Sequence, residues 1–184
     1  MVDRLIGKLS PKYKEILARK FDMLGGVHYM PLTHKDDVGE HDKWAQRLKD
    51  YRIADAERNL NGDGPWTIGS DFELVYSPGH TEGSVCLYYK QMKIIFVGDH
   101  LDRSGETGEF LDISLIYNQQ SVRLQLYGVK KLSDLDFNWI FPGHGRRIGF
   151  KDNHEKNIAV KDFLASNEHL HDNSNTRHKE PLFA

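Results

Sequence analysis

Apolar residues recur at Tyr13, Ile16, Leu17, Phe21 and Leu24, a helical spacing that predicts an amphipathic helix over 11–24. Ser10 reads as its N-cap, Pro11 as its first helical residue and Gly25-Gly26 as its stop. A short strand is expected over 27–33, a loop over 34–38 and a second helix over 40–49. The stretch 51–64 is ambiguous, and Asn61-Gly62-Asp63-Gly64-Pro65 is strong turn chemistry. Strands then follow at 72–76, 84–89 and 93–97, an amphipathic helix at 114–132, a short strand at 139–141 and a last helix at 152–165. The tail over 166–184 is polar and without period, so it is expected to be loose and the folded domain to span 1–165. No internal repeat is visible.

One pattern repeats along this scaffold. A strand runs into a sharp glycine turn and then a histidine or aspartate three times: Ser77-Pro78-Gly79-His80, Val97-Gly98-Asp99 and Phe141-Pro142-Gly143-His144. Leu32-Thr33-His34 is a fourth case without glycine. Glycine lets the backbone turn tightly at a strand end, which aims the next side chain off the sheet edge. Several strand ends that each present one nitrogen or oxygen ligand are how a rigid scaffold builds a metal site.

Composition narrows the setting. A chain of 184 residues is one ordinary domain with room for a real core. A formal net charge of −2 gives no electrostatic reason to expect nucleic acid or an anionic membrane as partner. No apolar run approaches the length of about 20 residues that spans a bilayer. Met1-Val2-Asp3-Arg4 does not start a secretory signal, and the lone Cys86 suits a reducing compartment. An intracellular, cytoplasmic protein is expected, or an organellar one if a targeting segment precedes this chain. Cys86, in mid-strand, reads as a small buried hydrophobe. Arg146 and Arg147 read as surface charge.

The three glycine-turn motifs, in this order, resemble the later ligand motifs of the metallo-β-lactamase superfamily: Ser77-Pro78-Gly79-His80-Thr81-Glu82-Gly83-Ser84, then Val97-Gly98-Asp99, then Phe141-Pro142-Gly143-His144-Gly145. The resemblance covers most of 1–165 and implies an α/β fold, a four-layer αβ/βα sandwich with mixed sheets. The superfamily's first motif, His-x-His-x-Asp-His, is altered here to His34-Lys35-Asp36-Asp37-Val38-Gly39. That is closest to a branch with a Thr-His-x-Asp-Asp loop. Asp37 and His41 stand beside the lost positions, four residues apart, so a helix starting near Asp37 would put both on one face. Met1-Val2-Asp3 resembles only the end of the strand that normally opens the first sheet, so that sheet is expected to be shortened.

The resemblance implies that His34, Asp36, His80 and Asp99 could hold one metal, and that Asp99, His144 and Asp37 or His41 could hold a second. Asp99 would then bridge, and Asp99 and Asp37 would carry the catalysis. One or two zinc ions are expected, with iron or manganese made more credible by carboxylate replacing imidazole. Plainer roles compete: Asp36 and Asp37 as helix caps, His41 as a solvated helix residue, and His100 as a core or ligand-supporting residue. The implied activity is hydrolysis of an ester or thioester carbonyl by metal-bound hydroxide. Thr81-x-Gly83-Ser84 is more similar to the glyoxalase II side of the superfamily than to its antibiotic-hydrolysing side. A mononuclear iron oxygenase of the persulfide dioxygenase type and a non-catalytic binding protein are the alternatives. The partner expected is a small-molecule substrate, and a homo-oligomer is left open.

Overall fold

The computed structural model describes residues 12–27, 30–35, 40–48, 60–103 and 110–170, apart from the side chains at 41, 42, 45 and 48. Helix α1 spans Glu15–Met23. Its N-cap is Lys14, in extended conformation and without a side-chain capping bond, so the start lies later than the Ser10-Pro11 pair predicts. Ser10 and Pro11 themselves lie outside the described residues. Its end is as expected. Gly25 and Gly26 take φ of 90° and 83°, and their N–H groups reach the Asp22 and Phe21 carbonyls at 2.9 and 2.8 Å. This double bond satisfies two carbonyls that the helix end would leave open.

Helix α2, His41–Leu48, lies against α1. Trp44 is fully buried between them, edge-on to Tyr13 and Phe21 at 5.0 and 5.7 Å. Burying one such side chain contributes on the order of 2–3 kcal/mol. The Tyr13 N–H donates to the Glu40 carboxylate at 2.7 Å, and Arg47 pairs with Asp22, so both ends of the pair are tied.

Among the described residues, six strands form one mixed sheet in sequential order: β1 Trp66–Ile68, β2 Phe72–Tyr76, β3 Val85–Tyr89, β4 Ile94–Gly98, β5 Trp139–Pro142 and β6 Ile148–Gly149. Neighbours are antiparallel except β4 and β5, which run parallel. Helix α3, Val122–Ser133, lies on the connection between those two, as a parallel pair requires. Helix α4, Asn153–Ser166, closes the fold with Asp152 as its N-cap, its side chain accepting from the Glu155 N–H. A single 3-10 turn, Glu168–Leu170, follows it, and Leu170 packs on the core.

Alternation along the strands sorts their side chains onto two faces. Val75, Cys86, Tyr88, Ile95, Val97 and Ile140 face α3 and α4, meeting Leu126, Val129, Leu132, Val160 and Phe163 in the main core. Phe72, Leu74, Val85 and Leu87 form a second cluster on the other face with Trp66, Ile68 and Phe96. With apolar residues buried on both faces, β3 reads as the unbroken run Val85-Cys86-Leu87-Tyr88-Tyr89.

Three expectations are corrected among the described residues. Residue 27 and residues 30–33, where part of a strand was expected, are not in a strand, and residues 28 and 29 lie outside the described ones; the Thr33 carbonyl accepts from the Val85 N–H at 2.8 Å. The helix expected from residue 114 starts at Val122. The Gln119 and Ser121 N–H groups are taken by the His80 and Gly79 carbonyls, and Ser121 caps the helix through its side chain, so no helical turn can extend through them. Strands β1 and β6 were not expected; at three and two residues they are too short to show a period. The strand end expected at Met1-Val2-Asp3 lies outside the described residues.

Candidate metal centre

The three strand-end motifs and the Thr33-His34 segment converge at one end of the sheet. Asp99 follows β4 directly, and Gly98 turns the chain with φ of +55°. A Cβ at Gly98 would stand 2.6 Å from Thr33 Oγ1 and 3.2 Å from His34 Nδ1. The bare glycine is therefore what lets the Thr33-His34 segment lie across the end of β4. Thr33 is anchored to Val85 of β3, and its hydroxyl contacts His34 Nδ1 at 3.0 Å. That contact fixes the ring and leaves Nε2 facing the cleft.

His80 sits in a turn closed by its own hydrogen bonds. The Ser77 N–H donates to Ser84 O at 3.0 Å, the Gly79 N–H to Thr81 O at 3.2 Å, and the Thr81 N–H to Ser84 Oγ at 3.0 Å. Thr81 and Ser84 are both buried, with hydroxyls 2.9 Å apart. The turn is thus rigid rather than a loose loop. His144 follows β5, where the Gly143 N–H donates to Gly98 O at 2.7 Å and locks the two turns together.

The outcome is three imidazoles around one carboxylate oxygen. Nε2 of His34, His80 and His144 lie 3.5, 3.9 and 3.5 Å from Asp99 Oδ2. The His34 and His80 rings meet edge to face at 5.0 Å and are buried, whereas the His144 side chain is 65% exposed at the mouth. Burial works to raise the Asp99 carboxyl, but the hydrogen bond with His34 and the charges of His34, His144 and His80 outweigh it, so the group is held below its usual range. Asp99 Oδ1 is buried without a hydrogen-bond partner, while His34 Nε2 faces Asp99 Oδ2. His34, His80 and Asp99 offer one ligand atom each, all within 4.8 Å of one another, a group that could hold a metal ion.

Asp36 and Asp37 lie outside the described residues, as does the His41 side chain. His100 is fully enclosed against α3, and burial first, then the charge of His80, pulls its imidazole down to about 3, so it stays neutral in the core. Cys86 is the buried hydrophobe expected, its thiol pushed up to about 12 by burial. Arg146 and Arg147 are exposed, with Arg147 lying over the Phe141 ring.

Two features of the site have no signature in the motifs. The Asp102 carboxyl is pushed up to about 6, mainly by burial and by the charges of Asp112 and Asp99. Residues 102 and 112 are paired by two backbone bonds of 2.9 Å, a tertiary contact that no local pattern reveals. Gln125 is completely buried beside the Asp99 turn, where helical periodicity shows only a polar residue on an amphipathic segment.

The family model of the Metallo-beta-lactamase superfamily matches residues 17–144. A search of curated proteins by sequence gives no match. Among solved structures, a metallo-beta-lactamase from Hirschia baltica aligns with a TM-score of 0.59 at 16% identity, covering 87% of this chain and 82% of its own. A metallo-beta-lactamase from Pontibacter korlensis aligns with a TM-score of 0.57 at 18% identity, covering 84% and 80%. TTHA1623, in a di-iron-bound form, aligns with a TM-score of 0.56 at 20% identity, covering 76% and 82%. At these identities the likeness is one of fold: a metallo-beta-lactamase-like arrangement of mixed sheet and helices.

Proposed function

Because the chain belongs to the metallo-beta-lactamase superfamily, we propose that it is a metal-dependent hydrolase acting on the carbonyl of a small ester or thioester. The observation that carries this reading is the convergence of three imidazole Nε2 atoms on one carboxylate oxygen at 3.5 to 3.9 Å. Ligands about 2 Å from a common ion stand roughly 3–4 Å from one another, and the separations from Asp99 Oδ2 fall in that range. The burial of His34 and His80, grouped with Asp99 so that each offers one ligand atom, supports the same reading.

His34, His80 and Asp99 would hold the ion, with His144 completing the set from the mouth, and Asp36, Asp37 or His41 available to a second. Zinc suits the nitrogen ligands, and the carboxylates make iron or manganese eligible. A bound ion supplies a Lewis acid and lowers the pKa of its water to about 7. The chain's own part is to hold and orient. Thr33 fixes the His34 ring, and the closed turn from Ser77 to Ser84 fixes His80. Asp99 accepts at the centre and keeps its charge at neutral pH. The exposed edge at His144 leaves one side of the cleft open for a small substrate to enter.

The thioester preference rests on Thr81-Glu82-Gly83-Ser84 and its similarity to the glyoxalase II side of the superfamily. A panel of activated esters, thioesters and β-lactams tests the reading. The expected result is thioester turnover that a chelator abolishes, and that Asp99→Ala reduces by at least about a hundredfold. Turnover that survives both the chelator and Asp99→Ala refutes it. Oxygen uptake in place of hydrolysis would point to the iron oxygenase instead.

A further inference from the structure

Gln125 lies on the first turn of α3, and its side chain is fully enclosed. Its Nε2 donates to His100 O at 2.7 Å and to Asp99 O at 3.3 Å. Its Oε1 accepts from Asn118 Nδ2 at 2.7 Å, and the same Asn118 nitrogen donates to Gly79 O at 2.8 Å. Asn118 Oδ1 in turn accepts from the Gln120 N–H at 3.2 Å. Every amide hydrogen of this pair that meets an acceptor is used, and the chain of bonds has two ends. One is the carbonyl before His80. The other is the carbonyl of Asp99 itself.

The backbone is shaped to accept this bridge. A Cβ at Gly79 would stand 2.2 Å from the Gln125 nitrogen, so the start of α3 seats directly on the His80 turn only because residue 79 is glycine. Three residues further along the helix, a Cβ at Gly128 would meet the His100 ring at 2.5 Å. Gln125 and Gly128 therefore share the helix face that receives the Asp99-His100 turn. A neutral amide donates to carbonyls at one end and accepts at the other, whereas a carboxylate would oppose its lone pairs to theirs.

We propose that Asn118 and Gln125 are positioning residues that lock the His80 turn to the Asp99 turn and thereby set the metal affinity of the site. The metal part rests on the hydrolase reading above. Neither residue reaches the cleft: both act through the backbone of the residues that do. Partners of this kind behind metal ligands typically govern affinity by 10–100-fold, roughly speaking.

The test uses the full chain stripped by chelator. Asn118 is half-buried in a loop, so Asn118→Ala should fold even if Gln125→Met does not. Zinc titration should show Asn118→Ala weakened about 10–100-fold, with cooperative urea unfolding kept and stability lowered by the roughly threefold-or-more equilibrium loss that one unmade buried hydrogen bond brings. The Asn118→Ala/Gln125→Met double variant should be no weaker than Gln125→Met alone, because the two amides act as one unit. Without metal, hydrogen exchange at the Gln119 and Ser121 amides, which bond to the His80 and Gly79 carbonyls, should quicken by at least about tenfold in Asn118→Ala. Amides of the β2–β3 ladder should stay as in wild type. If wild type takes up no zinc, the hydrolase reading falls and the exchange measurement alone decides whether the pair locks the turns. If wild type binds zinc, an unchanged value in either measurement overturns the proposal.

Discussion

Gly98 carries two duties in one residue: it bends β4 toward Asp99 and clears space for Thr33 and His34. Gly98→Ala should therefore cost at least about 2 kcal/mol, combining a left-handed backbone strain with a 2.6 Å clash. Urea denaturation reads this, and a cost under about 0.5 kcal/mol contradicts the close approach. The first duty was legible in Val97-Gly98-Asp99, because a glycine before a strand-end ligand signals a turn. The second was not, since Thr33 is remote in sequence.

Asp102 was equally hidden, and its titration is testable. A carboxyl raised to about 6 binds its proton more tightly in the folded state than in the unfolded one. Its stabilising contribution is present below about pH 4 and is lost as pH rises through its folded value. Asp102→Asn in the metal-stripped protein should remove that loss. Relative to wild type, the variant should gain about 1 kcal/mol between about pH 4 and pH 7.5, allowing for solvent screening at a half-buried site. Urea midpoints at both pH values check it; a gap that does not change with pH rejects the assignment.

At the scale of elements, strong periods were legible and tertiary contacts were not. The β2 boundaries, the Gly25-Gly26 stop of α1 and the Asp152 start of α4 follow from alternation and capping chemistry that lies within a few residues. The start of α3 does not, because the residues before it spend their N–H groups on the His80 turn. Lys156 makes the same point inside α4. It is fully buried, donating from Nζ to Ser133 O at 2.6 Å and Leu135 O at 2.5 Å, and it lies over the Phe137 ring at 4.7 Å. It thus serves as a remote cap just past the end of α3, where Leu135 O otherwise accepts, among the described residues, only from the Phe137 N–H at 3.2 Å. Lys156→Met keeps the apolar stem and removes both bonds, so it should destabilise by about 2–3 kcal/mol. Thermal unfolding followed by circular dichroism measures this, and a variant as stable as wild type would show that the cap contributes nothing.

For the whole molecule, the candidate site was legible in the motifs because His80, Asp99 and His144 follow glycine turns at strand ends. His34, His80, Asp99 and His144 were all named from the motifs, and the imidazoles of the three histidines stand 3.5 to 3.9 Å from Asp99 Oδ2. Local chemistry could not show which of them is enclosed and which stands at the mouth, since burial depends on packing from distant elements. The central claim is that this convergence holds a metal ion. The most direct measurement is the metal content of chelator-stripped protein after equilibration with zinc and removal of the free ion, for wild type beside Asp99→Ala. The account predicts roughly one or two ions per wild-type chain and near-complete loss in Asp99→Ala. A wild-type chain that retains no ion, or an Asp99→Ala variant that retains as many, would contradict it.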